Sequence, residues 1–218
     1  MTFPDHTKRN PIIFENGDRY PGTVFLDQAI DHENFHIGAY SYYADTTLTP
    51  DTDIAALLAP YTWPGAPENI HIGKFCQIAQ GVQIITGRAN HDMSGLTTFP
   101  FPIFDPAQIG SYRSSVARSR DVRIGHDVWI GRDALLMPAA NIGNGVIVAA
   151  RAVVTGDVPD YAMVAGNPAK VVKMRFDEAT RARLLALAWW DWPAETIEAA
   201  LPALQARDLD ALEALQPS

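Results

Sequence analysis

From Ile124 the chain reads IGHDVW, IGRDAL, LMPAAN, IGNGVI, VAARAV, VT. An aliphatic residue opens every block: Ile124, Ile130, Leu136, Ile142, Val148 and Val154, each six residues after the last. The fifth position is always small or β-branched: Val128, Ala134, Ala140, Val146, Ala152. An earlier fragment repeats the scheme, with Ile72, Ile78 and Ile84 in front and Cys76 and Val82 fifth. A later piece carries Val158 and Val164, with Ala162 fifth, but out of phase with the block before it. Six is neither the helical period nor the alternation of a strand. It suits a short strand and a turn, repeated so that one aliphatic side chain per block points inward. No block can bury that side chain alone, so the blocks must stack into a solenoid.

The rhythm breaks at two excursions, one near 44–69 and one near 87–120, and stops after Phe176. Asp177 can cap a helix carrying Leu184, Leu185, Leu187 and Ala188. WWDWP ends it, Pro193 can open a second helix, and Leu209 to Leu215 a third. These breaks divide the chain into an extension, 1–30, a repeat domain, 31–176, and C-terminal helices, 177–218. The fold class expected is mainly β.

Composition narrows the function classes. The 218 residues are 47% hydrophobic and 19% charged, as in a folded soluble domain. No apolar run is long enough to span a bilayer, and MTFPDHTKRN lacks the apolar core of a secretory leader. The one cysteine, Cys76, has no partner for an internal disulfide. These features point to the cytoplasm and away from a membrane. A net charge of −8 argues against a general nucleic-acid binder. The charge is uneven, however: nine Lys and Arg face five Asp and Glu between Arg113 and Phe176. A basic region on an acidic protein suits a small anion.

HENFH, residues 32–36, fits the H-E-x-x-H zinc motif. That motif works because a helix puts both histidines on one face. Here Phe35 to Gly38 run straight into the repeat, so extended structure is expected and no zinc. His71, His91 and His126 also lack the spacing of a three-histidine metal site. Cys76, at a fifth position, is expected in the core as a structural residue.

HIGAYSYYA, ENIHIGKFCQIAQGVQI, GRANHDMSGLTTFPF, the hexapeptide run, AGNPAKVV and LLALAWWDWP follow one another in this chain. This order resembles the hexapeptide-repeat acyltransferases, and within them the xenobiotic acetyltransferases, over roughly residues 30 to 195. That subgroup holds streptogramin A and type B chloramphenicol acetyltransferases. The resemblance implies a left-handed parallel β-helix, an exception to the right-handed crossover rule. It also implies a protruding active-site loop, acetyl-CoA as co-substrate without a metal, and a homotrimer with sites between subunits.

The loop N-H-x-M-x-G of the family matches Asn90, His91, Met93 and Gly95, with Phe99-Pro100-Phe101 after it. The resemblance makes His91 the general base, a role that suits imidazole near neutral pH. Its ring needs an orienting partner, either the adjacent Asp92 or a backbone carbonyl. Acceptor contacts carried over by the resemblance are Tyr42, Tyr43, Asn90, Asp92, Met93 and Phe101. Donor contacts carried over are Trp129, Arg132, Ala150, Thr155, Asn167, Lys170 and Lys173. Gly156 stands where the family has Lys, so the phosphate contact the family makes there is not carried over to this chain. The implied activity is direct O-acetylation of a small acceptor such as an antibiotic. A sugar or other metabolite, hydroxyl or amine, remains open as acceptor. A non-catalytic β-helix binding protein is the third reading, and the intact His91 loop and GNPAK turn weigh against it.

Overall fold

The computed structural model describes residues 3–116 and 120–217. Residues 1–2, 117–119 and 218 lie outside the described residues, and with them the ends of the expected 1–30 and 177–218 segments and part of the 87–120 excursion. The chain enters through β1 (Thr23–Phe25) and winds a first coil with β2 (Phe35–Ile37) and β3 (Tyr42–Ala44). The second coil holds β4 (Ile70–Ile72), β5 (Gln77–Ala79) and β6 (Gln83–Ile84). The third holds β7 (Val122–Ile124), β8 (Trp129–Ile130) and β9 (Leu135–Leu136). The fourth holds β10 (Asn141–Ile142), β11 (Ile147–Val148) and β12 (Val153–Val154), and the winding ends with β13 (Asp157–Val158), β14 (Ala162–Gly166) and β15 (Ala169–Met174).

Successive strands fall on successive faces, which is the topology of a three-sided parallel β-helix. The first face runs β13-β10-β7-β4-β2, the second β1-β3-β5-β8-β11-β14-β15, the third β12-β9-β6. Pairing between coils is parallel and in register, as in Ile78↔Ile130 and Ile130↔Val148. The two ends of the second face are closed by antiparallel strands, β1 on β3 and β15 on β14. The extension thus supplies an edge strand and the buried Val24 and Leu26.

The period of six has a backbone cause. Before the closing pair β14 and β15, each strand is two or three residues, and the fourth position of the hexapeptide turns the corner with positive φ: Asp127 (54°), Asp133 (58°), Ala139 (63°) and Arg151 (59°). That conformation costs a non-glycine residue about 1–2 kcal/mol. Gly145 holds the same position, and a side chain there would drive a Cβ to 2.3 Å from the Tyr161 ring. The turn aims the fifth residue inward, so Val128, Ala134, Ala140, Val146 and Ala152 are buried together with the openers Ile130, Leu136, Ile142 and Val154. The break in phase after Val154 is a shortened corner. β13 still pairs in register with β10, Ile142 opposite Val158.

Both excursions rejoin the coil at the start of a first-face strand, β4 for the earlier and β7 for the later; the earlier leaves after β3 on the second face, the later after β6 on the third. The earlier one replaces the third-face strand of the first coil. It carries α1 (Ile54–Leu58), capped by the Asp53 side chain on the Ala56 N–H at 2.9 Å. This helix packs beside β6 and sinks Ile54 and Leu58 into the core. The later one carries α2 (Ile109–Ser115) and two 3-10 turns, Gly87–Ala89 and Phe101–Phe104. Residues 35–37 of the zinc-like stretch are strand, so no helix aligns His32 and His36. His36 instead stacks on His71, one strand over.

Asp177 caps α3 (Glu178–Leu187) through the Thr180 N–H at 2.8 Å. The helix stops one residue short of the expected Ala188, which takes the left-handed cap. α4 (Ala194–Ala206) and α5 (Leu209–Glu213) follow. The helices need a partner for their apolar faces, and the side of the β-helix supplies it through the WWD turn. Trp190 lies parallel to His126 at 5.1 Å, Trp189 packs on Phe75 at 4.9 Å, and Asp191 pairs with Lys74 at 2.9 Å.

Ile130→Ala should lower unfolding free energy by about 2–5 kcal/mol in urea titrations. His126 gives a pH signature. Burial lowers its proton affinity, the nearby Lys74 charge adds to this and Asp191 opposes it. Its Nδ1 accepts the Lys74 N–H at 3.0 Å, a bond only the unprotonated nitrogen can accept. The unfolded chain therefore binds the extra proton first, near pH 6.5. Stability should fall as pH drops below that value and level off below the folded-state pKa. His126→Phe, which keeps a ring over Trp190, should flatten that part of a urea-midpoint profile between pH 8 and 5.

Candidate active site

The loop that follows β6 carries His91 into solvent. Its base is tied down: Thr86 donates its hydroxyl to the Tyr61 carbonyl at 3.0 Å, and Asn90 N–H closes a turn on Gly87 at 3.0 Å. His91 Nδ1 lies 3.0 Å from the Thr98 carbonyl. A carbonyl can only accept, so Nδ1 carries the proton and Nε2 presents its lone pair outward. Of the two orienters open from sequence, the backbone carbonyl is the one in place. Asp92 turns away, its carboxylate accepting the Ser94 N–H at 2.9 Å and hydroxyl at 2.6 Å. Its own N–H donates to the Tyr112 hydroxyl at 3.2 Å.

Around His91 the loop displays apolar side chains. Met93 is 78% exposed and Phe101 66%, with Phe99 against Phe101 at 4.5 Å and Phe104 at 5.7 Å. Such a surface on a folded protein marks a place of contact.

The remaining expected contacts divide into two sets. On the second face Tyr42, Gln77, Trp129, Ile147, Met163 and Lys173 stand opposite one another strand by strand. This row is roughly 24 Å long at the usual strand spacing. Trp129 points out of the coil and is half exposed. Lys170 and Lys173 are exposed on β15, without an ion-pair partner among the described residues. Tyr42 and Gln77 line a cavity of about 540 Å³, walled by Pro11 and Ile12 of the extension and by Phe75 and Trp189. Burial raises the Tyr42 pKa, keeping its hydroxyl protonated.

The other set flanks the third face. Arg132 and Ala150 share the corner on one side, where Arg151 N–H bonds the Arg132 carbonyl at 2.9 Å. Thr155 lies at the corner on the other side, the corner from which the His91 loop departs two coils below. Asn167 sits apart, at the exposed tip between β14 and β15.

Tyr43 requires a correction. It faces the core, 2% exposed, with its hydroxyl donating to Asp45 at 3.2 Å. In a strand neighbours point to opposite faces, so Tyr42 and Tyr43 cannot both meet an acceptor. Cys76 is buried, its thiol pushed up to about 12 by burial and its Sγ 3.1 Å from the Gly125 carbonyl, so it is no thiolate at neutral pH. Among the described residues no cluster of three His, Cys, Asp or Glu is arranged to hold a metal, and no helix is long and apolar enough to cross a membrane. A larger cavity, about 900 Å³, opens between Tyr161, Arg175 and the C-terminal helices, and none of the expected site residues lines it.

Sequence spacing missed three groups. Thr98 acts through its carbonyl, which residue type does not reveal. Gln77 is legible only once register is known. Arg151 adds a cation beside Arg132, both near Asp133 at 3.5 and 3.8 Å. Its place within the basic region was the available signal.

Comparison with known proteins agrees with this geometry. The family described as bacterial transferase hexapeptide (six repeats) matches residues 121–156. A chloramphenicol acetyltransferase of Agrobacterium fabrum is 37% identical over 87% of this chain and 90% of its own length. A virginiamycin A acetyltransferase of Staphylococcus aureus is 37% identical over 87% of this chain and 85% of its own. A probable macrolide acetyltransferase of Lysinibacillus sphaericus is 42% identical over 60% and 73%. The chain belongs to the hexapeptide-repeat acetyltransferases of the xenobiotic acetyltransferase subgroup, and it is an acyltransferase.

Two neighbouring tyrosines give the local test. Tyr43→Phe should cost about 1 kcal/mol of stability, the net worth of one hydrogen bond, and leave transfer kinetics unchanged. Tyr42→Ala should raise the acceptor KM while stability holds.

Proposed function

We propose that this protein transfers acetyl from acetyl-CoA to a hydroxyl of a small, largely apolar acceptor of the antibiotic class, with His91 as general base. The observation that carries the reading is the Nδ1–Thr98 bond of 3.0 Å, which selects the neutral tautomer whose Nε2 is free to accept a proton, on an exposed residue. The acceptor hydroxyl gives its proton to Nε2 as its oxygen attacks the thioester carbonyl. The imidazolium is stabilised by the Thr98 carbonyl dipole through Nδ1–H. When the tetrahedral intermediate collapses, Nε2–H returns the proton to the departing sulfur, so no covalent enzyme intermediate is needed.

The relatives' names support the acceptor class, since chloramphenicol, virginiamycin A and macrolides are unlike in shape but alike in bearing hydroxyls on apolar frames. Our reading of the scaffold is a left-handed β-helix spanning 31–176, flanked by 1–30 and 177–218, acting in the reducing cytoplasm where Cys76 stays a thiol. We place the co-substrate along the second-face row and the basic corner: the pantetheine arm over Trp129, the phosphates toward Lys170 and Lys173 or Arg132 and Arg151. Tyr42 and its cavity take the acceptor. The split of these residues between two faces favours a homotrimer in which the His91 loop of one subunit closes over the second face of the next. The exposed Met93, Phe99 and Phe101 would be covered there.

The test is release of coenzyme A thiol in the presence of chloramphenicol, a streptogramin A, simple sugars and amines. Turnover of an antibiotic, with kcat about 10²–10⁴-fold lower in His91→Ala and acetyl-CoA binding retained, is expected. Undiminished turnover in His91→Ala would remove His91 as base.

A further inference from the structure

The 44–69 excursion has no place in the repeat, yet its return to the coil is tied down by several side-chain contacts. Its return limb is fixed to the first coil by Asn34, whose amide donates to the carbonyls of Ala66 at 2.7 Å and Glu68 at 3.2 Å. Asn69 N–H then bonds the Asp121 carboxylate at 2.9 Å, tying the start of β4 to the residue before β7. Between these anchors the Glu68 side chain is only 2% exposed. A buried carboxylate costs several kcal/mol unless a cation meets it. Among the described residues the cation beside it is Arg88, 13% exposed, with Nε 3.6 Å from Glu68 Oε2.

Arg88 lies in the 3-10 turn Gly87–Ala89, three residues before His91. Thr86, at the start of that turn, bonds the Tyr61 carbonyl in the same excursion. Two independent contacts therefore join the excursion to the first residues of the His91 loop. The topology explains why they meet: the first segment rejoins the coil at β4, and the second leaves it after β6, at the same corner between third and first faces one coil apart. Past Asn90 the loop is largely exposed, so its placement depends on the fixed turn that launches it. An ångström of misplacement can cost transfer on the order of 10²-fold.

We propose that Glu68, through Arg88, is a positioning residue of the acetyl transfer: the buried pair makes the 44–69 excursion the platform from which His91 is aimed. This rests on the reading of His91 as the base. A change in the length of the excursion or in this pair would alter turnover from a distance, without touching either substrate.

The experiment uses the full-length protein with Glu68→Gln, Arg88→Lys and the neutral double variant Glu68→Gln/Arg88→Met. The double variant removes both charges together, so neither member of the pair is left facing the other's absence. Its melting temperature should lie near that of the parent. Its kcat should still fall 10- to 100-fold with the KM for acetyl-CoA within twofold, and amide exchange in 86–99 should quicken tenfold or more while 122–154 is unchanged. Arg88→Lys should fall between, since an ammonium keeps the charge and loses the guanidinium shape. Parent-like kcat and parent-like exchange in the double variant would overturn the proposal and leave the pair a purely structural one. Exchange needs no acceptor, so it decides the matter even if no tested acceptor is turned over. His91→Ala separates the two readings: unimpaired transfer there would defeat the base assignment, while the 86–99 exchange would still report on the platform.

Discussion

Everything in this molecule hangs from one constraint: an aliphatic side chain must be buried every sixth residue by the coil above and the coil below. A single turn of three short strands encloses only three such side chains and cannot hold itself together. Stacking Ile78, Ile130, Val148 and Val164 in register removes them from water as a continuous ladder. The corners at Asp127, Asp133, Ala139 and Arg151 bend the backbone into its left-handed region, at a cost the ladder offsets.

The same ladder arranges the chemistry. Because inward and outward residues alternate, an in-register core produces in-register outer rows, and Tyr42, Trp129 and Lys173 come into line though 131 residues separate the first from the last. A rigid row suits an extended co-substrate. A base must also reach a point in space off the coil, and that requires leaving the repeat. The His91 loop does so, with Thr98 fixing the tautomer and the Thr86 and Arg88 contacts fixing the departure. The reading proposed above combines a regular surface for the donor with a braced irregularity for the proton transfer.

Much of this was legible in the sequence. The openers and fifth positions foretold the buried set because a period of six leaves few other ways to bury them. The non-helical nature of HENFH followed from its continuity with the repeat, and Asp177 announced α3. Tyr43 was misjudged because YSYY offers two adjacent tyrosines, and only the strand register decides which one faces out. Thr98 was invisible because its carbonyl acts, and carbonyls are common to all residues. Glu68 and Arg88, 20 positions apart, share no local pattern. Their pairing comes from one excursion returning at the corner the other leaves from, which spacing alone does not reveal.

The central claim is that transfer joins the His91 loop of one chain to the second face of another. The most direct measurement mixes two inactive chains, one with His91→Ala and one with Trp129→Ala and Lys173→Ala, unfolded and refolded together. If sites lie between subunits of a closed trimer, equal mixing restores roughly a quarter of parental thiol release, because one interface in four then combines two intact halves. If each chain holds its whole site, no mixed assembly contains an intact one. The mixture would then stay as inactive as its components, which would contradict the account.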